Sequence, residues 1–216
     1  MSRRPQLDAL EPGVPPVAQT LPGERDVYNE HLCNRLAHQM NIRAATAADA
    51  MELTALAHRA KASWGYPADW IAAWRNDLTM TADYLTSRRA FVAEHGSRPA
   101  GVVVFEEHPD HWSVEHLWID PDLQRRGIGR LLVRHGLAAA SRDRAARVHV
   151  LSDPHAEPFY LRMGAVRIGA EPAPMPGAPE RVLPVLEFRL EACRLQCVEL
   201  VEDPGSQSVG NRGASA

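Results

Sequence analysis

Val114-Glu115-His116-Leu117-Trp118-Ile119-Asp120-Pro121-Asp122-Leu123-Gln124-Arg125-Arg126-Gly127-Ile128-Gly129-Arg130-Leu131-Leu132 passes from strand to loop to helix. The apolar run ends at Pro121, a basic loop carrying glycine follows, and a helix opens at about Gly127 with Ile128, Leu131 and Leu132 on one face. Such a loop feeds a helix N-terminus. Glycines let the main chain approach a ligand closely, and the free N–H groups of the first turn, aided by the helix dipole, favour phosphate oxygens. Arg125, Arg126 and Arg130 gather at an end where the dipole alone favours acidic residues, so they point to an anionic ligand.

Two other nucleotide loops fail at particular residues. A dinucleotide fingerprint needs a third glycine where Leu132 stands, directly after its strand, whereas seven residues separate Ile119 from Gly127. A P-loop needs Lys and then Ser or Thr after the second glycine, and here Arg130 and Leu131 follow. The run Gln124-Arg125-Arg126-Gly127-Ile128-Gly129 resembles instead the Q/R-x-x-G-x-G/A motif of the GNAT (Gcn5-related) N-acetyltransferases. Further on, Asp153-Pro154-His155-Ala156-Glu157-Pro158-Phe159-Tyr160-Leu161-Arg162-Met163-Gly164-Ala165 resembles that family's N-x-x-A-x-x-F-Y-x-x-x-G-F segment. The two matches have the family's order and spacing and lie within roughly Met40 to Leu190. They differ from it at Asp153, whose charge in place of Asn would oppose a phosphate-rich ligand, and at Ala165 in place of Phe.

The resemblance implies a fold, a co-substrate and roles. Acetyl-coenzyme A would bind with its pyrophosphate on main-chain amides from about Leu123 to Arg130, with Gln124 at the first motif position. The arginines would offset the charge, although the Arg130 side chain can equally reach solvent. Amides of Leu117, Trp118 and Ile119 would polarise the thioester carbonyl, and Tyr160 would protonate the departing thiolate. Glu115 lies on the strand that lines the acetyl group in the family and would be the general base, the alternative being a surface glutamate or one paired with arginine. Strand alternation turns His116 to the other face, so only one of the two faces the site unless a bulge intervenes. Trp64 and Tyr66 would border the acceptor cleft, while Trp70 and Trp74, at helical spacing, read as core. No cysteine lies in this region, so direct attack in a ternary complex is expected rather than an acyl-cysteine route.

The order of elements supports an α/β (α+β) fold. Strands read at 41–44, 90–94, 100–105, 112–119, 147–151, 166–168 and 182–190, and helices at 46–62, from Pro67 through Leu78, at 81–86, 127–142 and 158–163. This makes a mixed, mostly antiparallel twisted sheet of about six or seven strands with helices on both faces. Three segments follow: an extension over 1–39, helical at most over Asp26 to Met40; an acetyltransferase domain over 40–190; and a polar tail over 191–216. Glu171 to Arg181 reads as a loop or flap.

Composition narrows the function classes. The chain has 216 residues, 45% of them hydrophobic, enough for one good core. A net charge of −3 disfavours a general nucleic-acid binder. Cys33, Cys193 and Cys197 are few and odd in number, which argues for a reducing compartment. No apolar run of about 18 residues suggests a membrane span, and Pro5 to Leu21 lacks a signal-peptide core, so a cytoplasmic location is expected. His108-Pro109-Asp110-His111 resembles a metal pair without third or fourth ligands, and no metal is expected. The expected partner is a small-molecule primary amine, with a homodimer left open and neither nucleic acid nor membrane involved. Rival readings are acetylation of a protein N-terminus or lysine, transfer of a longer acyl group, or a non-catalytic coenzyme A sensor.

Overall fold

The computed structural model describes residues 40–190. The expected helix between Asp26 and Met40, the C-terminal tail and all three cysteines lie outside these residues, apart from Met40 itself. The chain enters β1 (Met40–Ala44) and then a 3-10 turn (Ala47–Asp49) that opens α1 (Ala50–Ala62). The opening is fixed as its sequence suggests: Thr46 donates to the Asp49 carboxylate from its N–H (2.7 Å) and its hydroxyl (2.8 Å). Arg43 of β1 meets the same carboxylate at 2.8 and 2.7 Å and holds its pKa down to about 2.

Two shorter helices follow, α2 (Ala68–Ala73) and α3 (Ala82–Thr86). α2 stops well before the expected Leu78, and hydrogen-bonded turns carry the chain on, with the Leu78 N–H on the Trp74 carbonyl at 3.0 Å. β2 (Arg89–His95) and β3 (Arg98–Glu107) form a hairpin tighter than expected: His95 pairs with Arg98, and Gly96 takes the positive φ of 65° that the turn needs. β4 (Trp112–Ile119), α4 (Ile128–Arg142), β5 (Arg147–Leu151), α5 (Glu157–Arg162), β6 (Val166–Pro172) and β7 (Val182–Arg189) complete the fold. β6 extends past the expected Ile168 and takes in Glu171 and Pro172, the first residues of the supposed flap.

The seven strands lie in the order β1-β2-β3-β4-β5-β7-β6. Every neighbouring pair is antiparallel except β4 with β5. On one face α4 and α5 cover Val103, Phe105, Trp112, Val114 and Val150, together with Leu132 and Leu137 of α4. On the other, α1 and α3 cover Val92, Val102, Val104 and Trp118 with Leu53, Leu56 and Leu85. α4 comes down close upon β3 because residue 136 is glycine; a methyl group there would overlap the Phe105 ring. Among the described residues no helix is long and apolar enough to cross a membrane.

Two irregularities of β4 shape the site. Its parallel pairing to β5 ends at Val114–Val150, while β4 runs on to Ile119, so the strands part beyond that point. Val104 pairs with His116 but Phe105 pairs with Val114, which leaves Glu115 unmatched in a β-bulge. The bulge breaks strict alternation. Val114 points to the α4 face, whereas Trp118, which would share its side in a regular strand, packs in the α1 cluster.

Candidate active site

The loop after β4 is built from local contacts. The Asp120 carboxylate accepts the Asp122 N–H at 3.1 Å, capping a 3-10 turn over Pro121–Leu123, and pairs with Arg59 of α1 at 2.9 Å. Arg126 donates to the Asp122 carbonyl at 3.2 Å, and Gln124 to that of Ile119 at 3.5 Å. Arg125 and Gly127 both adopt left-handed φ, 61° and 84°, which turns the chain into α4. The N–H groups of Gly127, Ile128, Gly129 and Arg130 have no acceptor among the described residues; that of Leu131 is the first to find one, on Gly127 at 3.0 Å. Four free amides thus crown the helix, with Arg125, Arg126 and Arg130 exposed around them. The buried Ile128 side chain belongs to the core, so only its main chain is offered. This is a fitting seat for a diphosphate.

The parted strands continue from this seat. The Asp120 N–H donates to Ala100 of β3 at 3.0 Å, and alternation along an extended strand therefore turns the Trp118 amide toward β3 as well. The amides of Leu117 and Ile119 face the opening instead. Trp118, expected with them as a main-chain donor, contributes its side chain to the α1 cluster and not an amide to the gap.

The bulge brings Glu115 and His116 together on the α1–α3 face. Both sit beside Tyr84: the His116 ring lies 5.4 Å from it edge-on, and burial together with the Glu115 charge pushes the phenol up to about 12. The expectation that only one of the pair could face this side therefore yields to the bulge. Glu115 is exposed and forms no ion pair among the described residues; its partner is the Ser113 hydroxyl, which donates to it at 2.6 Å. His116 is buried, and its Nδ1 accepts the indole N–H of Trp118 at 3.0 Å. A neutral imidazole with Nδ1 occupied in this way carries its proton on Nε2 and can only donate there. Burial first, and then the nearby Arg88 charge, pull its pKa down to about 4. His116 thus has no free lone pair to take a proton while Trp118 holds Nδ1.

A pH dependence follows. The folded His116 pKa is depressed below its unfolded 6.5, so its contribution to stability is whole above pH 6.5 and is lost as pH falls toward 4. Across that interval the loss should amount to about 3 kcal/mol, and His135, also lowered by burial, adds a slope of the same sign. Urea unfolding at several pH values should give a clearly shallower acid slope for His116→Gln than for wild type; equal slopes would contradict the assignment.

Tyr160 of α5 is buried between Phe159 and Phe188, with ring centroids 5.1 and 6.4 Å away, and burial holds its hydroxyl firmly protonated. Asp153, where β5 gives way to α5, accepts from Lys61 Nζ at 2.6 Å, Tyr66 Oη at 2.8 Å and the His155 N–H at 3.0 Å, and has Arg181 at 3.5 Å. Its negative charge is therefore offset by two cations, contrary to the expectation that it would repel a phosphate-rich ligand. Trp64 and Tyr66 do meet a cation in an aromatic cluster, but that cation is the chain's own Lys61, 4.6 and 4.8 Å from their ring centroids and 4.3 Å from that of Trp74. Trp64 also touches Trp118 and His155, at 5.7 and 5.9 Å between centroids. Lys61, Arg181, Tyr84 and Ser113 escaped the sequence reading. The spacing of Leu53, Leu56, Ala57 and Ala60, which puts Lys61 on the same helix face, was a hint, since a lysine on a buried helix face needs a partner.

The comparisons bear on the same stretch. The chain matches the Acetyltransferase (GNAT) family over residues 51–165. No curated protein matches it. Among solved structures, a GCN5-related N-acetyltransferase from Rhodopseudomonas palustris is 19% identical, with a TM-score of 0.59 over 69% of this chain and 94% of that one. The ribosomal-protein-S18-alanine N-acetyltransferase from Escherichia coli is 16% identical, with a TM-score of 0.54 over 70% and 94%. The PaiA N-acetyltransferase of Thermoplasma acidophilum, solved in complex with coenzyme A, is 13% identical, with a TM-score of 0.53 over 69% and 98%. A family match across more than half of the chain, on a sheet whose central strands part beside a crown of free amides, places it in one family: the protein belongs to the GNAT acetyltransferases.

Proposed function

We propose that the chain, through a domain spanning 40–190 and in the cytoplasm, acetylates a primary amine of a small molecule by direct attack in a ternary complex. Acetyl transfer from acetyl-coenzyme A is the chemistry of its family; the acceptor and the residue roles are the proposal. The observation that carries it is the position of Glu115, a carboxylate without a cationic partner among the described residues, at the bulge where β4 leaves β5.

Bound acetyl-coenzyme A supplies an acetyl thioester, an acyl donor with a thiol as leaving group. The Gly127–Arg130 amides, Gln124 and the arginines at 125, 126 and 130 hold its diphosphate end. An alkyl ammonium has a pKa near 10, so Glu115 takes its proton and frees the lone pair for attack. An N–H of Leu117 or Ile119 receives the negative charge that develops on the acyl oxygen. Tyr160, protonated, gives its proton to the departing sulfur. Trp64 and Tyr66 border the acceptor through the surfaces turned away from Lys61.

Thiol release tests the reading, with full-length protein, acetyl-coenzyme A and a panel of acceptors: an alkylamine, an arylalkylamine, spermidine, and peptides with a free N-terminus or an internal lysine. Release with a small amine supports it. Release with peptides alone favours protein acetylation, and coenzyme binding without release favours a sensor. Tyr160→Phe should lower kcat by about 10²-fold or more while leaving coenzyme A affinity unchanged; an unaltered kcat removes Tyr160 from the acid role.

A further inference from the structure

The exposed Glu115 carboxylate also opens a chain of hydrogen bonds. Ser113 lies two residues before it on the same face, and its hydroxyl donates to Glu115 Oε1 at 2.6 Å. Ser113 Oγ lies 3.0 Å from His108 Nε2. His108 opens the turn between β3 and β4, its N–H held on the His111 carbonyl at 2.9 Å, and its ring is exposed. The ring position is set by stacking: His111 lies 4.5 Å away at an interplanar angle of 21°, and its other neighbour, His149 of β5, lies at 4.4 Å. Asp110 fixes His111 at 2.8 Å, Glu187 meets His149 at 3.3 Å, and Arg147 lies 3.6 Å from Asp110 and 3.9 Å from Glu187. Each carboxylate around the stack has its own cation or imidazole, while Glu115 has the serine.

We infer that Ser113 and His108 form a proton path from Glu115 to the surface, with His108 as the exit. This rests on Glu115 being the base. An acceptor close enough to be deprotonated covers the outward side of Glu115, and the Ser113 side stays connected to solvent. The step balances. Glu115 Oε1–H, formed by taking the ammonium proton, breaks as its proton passes to Ser113 Oγ. For this the Ser113 hydroxyl, which donates to Glu115 while that group is ionised, turns to the Nε2 lone pair of the Nδ1–H tautomer of His108; its proton passes to Nε2, and the imidazolium releases its Nδ1 proton to water. Carboxylate, hydroxyl and neutral imidazole are regenerated, with no oxidant or further reactant. Ser113 and His108 touch no reacting atom and are positioning residues.

The experiment uses full-length protein, saturating acetyl-coenzyme A and the fastest amine of the panel above. Ser113→Ala and His108→Ala should each lower kcat about tenfold, less than direct loss of a general base, with KM for the amine and affinity for coenzyme A unchanged. Ser113→Thr, which keeps the hydroxyl, should retain the wild-type rate. Imidazole added to the buffer should restore His108→Ala and not Ser113→Ala. The path is overturned if both alanine variants turn over like wild type while Glu115→Gln is crippled, or if His108→Ala loses coenzyme affinity and ignores imidazole. If Glu115→Gln itself is unimpaired, or no amine releases thiol, it is the underlying reading of the site that fails, and the path with it.

Discussion

Asp153→Ala should destabilise the fold by about 3–5 kcal/mol, the cost of breaking a buried ion pair from one side. The carboxylate binds three separate parts of the chain: Lys61 at the end of α1 at 2.6 Å, Tyr66 ahead of α2 at 2.8 Å, and Arg181 ahead of β7 at 3.5 Å. Its removal leaves Lys61, only 8% exposed at its side chain, charged and without an acceptor among aromatic rings. Thermal unfolding should fall by about 6–20 °C at this size. Lys61→Met combined with Asp153→Leu removes both charges and should recover much of the loss, because well-packed apolar groups can replace a buried pair. A single Asp153→Ala variant within about 1 kcal/mol of wild type would show that the cluster is solvated and would contradict its role in tying α1 to the β6–β7 connection.

Glu115→Gln carries the largest expected effect on catalysis. The substitution keeps size and the hydrogen bond from Ser113 but removes the basic oxygen, and kcat should drop by about 10²–10⁴-fold. Coenzyme A affinity should not move, since the proposed diphosphate seat lies beyond Ile119. Steady-state thiol release and a separate binding titration distinguish the two quantities. A kcat within twofold of wild type would transfer the proton to solvent, because His116 has its basic nitrogen engaged by Trp118.

Much of this arrangement could be read from the residues. The strand Trp112–Ile119 and the crown at Gly127 were legible because proline and glycine punctuate them and the apolar spacing changes from strand to helix between them. Thr46 and Asp49 announced the start of the first helix by a capping pattern confined to four residues. The bulge at Glu115 was not legible, since an extra residue in one strand leaves no local mark and is defined only by the register with β3. The same holds for the Asp153 cluster, whose partners Lys61 and Asp153 are 92 residues apart in sequence. Trp64 and Tyr66 read as a border of the acceptor cleft and Trp74 as core; that all three rings gather on Lys61 depends on tertiary packing. Residue 136 is a glycine within the helix expected over 127–142, and its contact with Phe105 emerges only when α4 meets the sheet.

The most direct test is a calorimetric titration of the full-length protein with coenzyme A and, separately, with pantetheine, which has the thiol arm but no diphosphate. Two or more charge-assisted hydrogen bonds at about 1.5–3 kcal/mol each should make coenzyme A bind at least about 100-fold more tightly than pantetheine. Equal affinities, or no heat with coenzyme A, would contradict the assignment of the Gly127–Arg130 amides as the seat of the diphosphate.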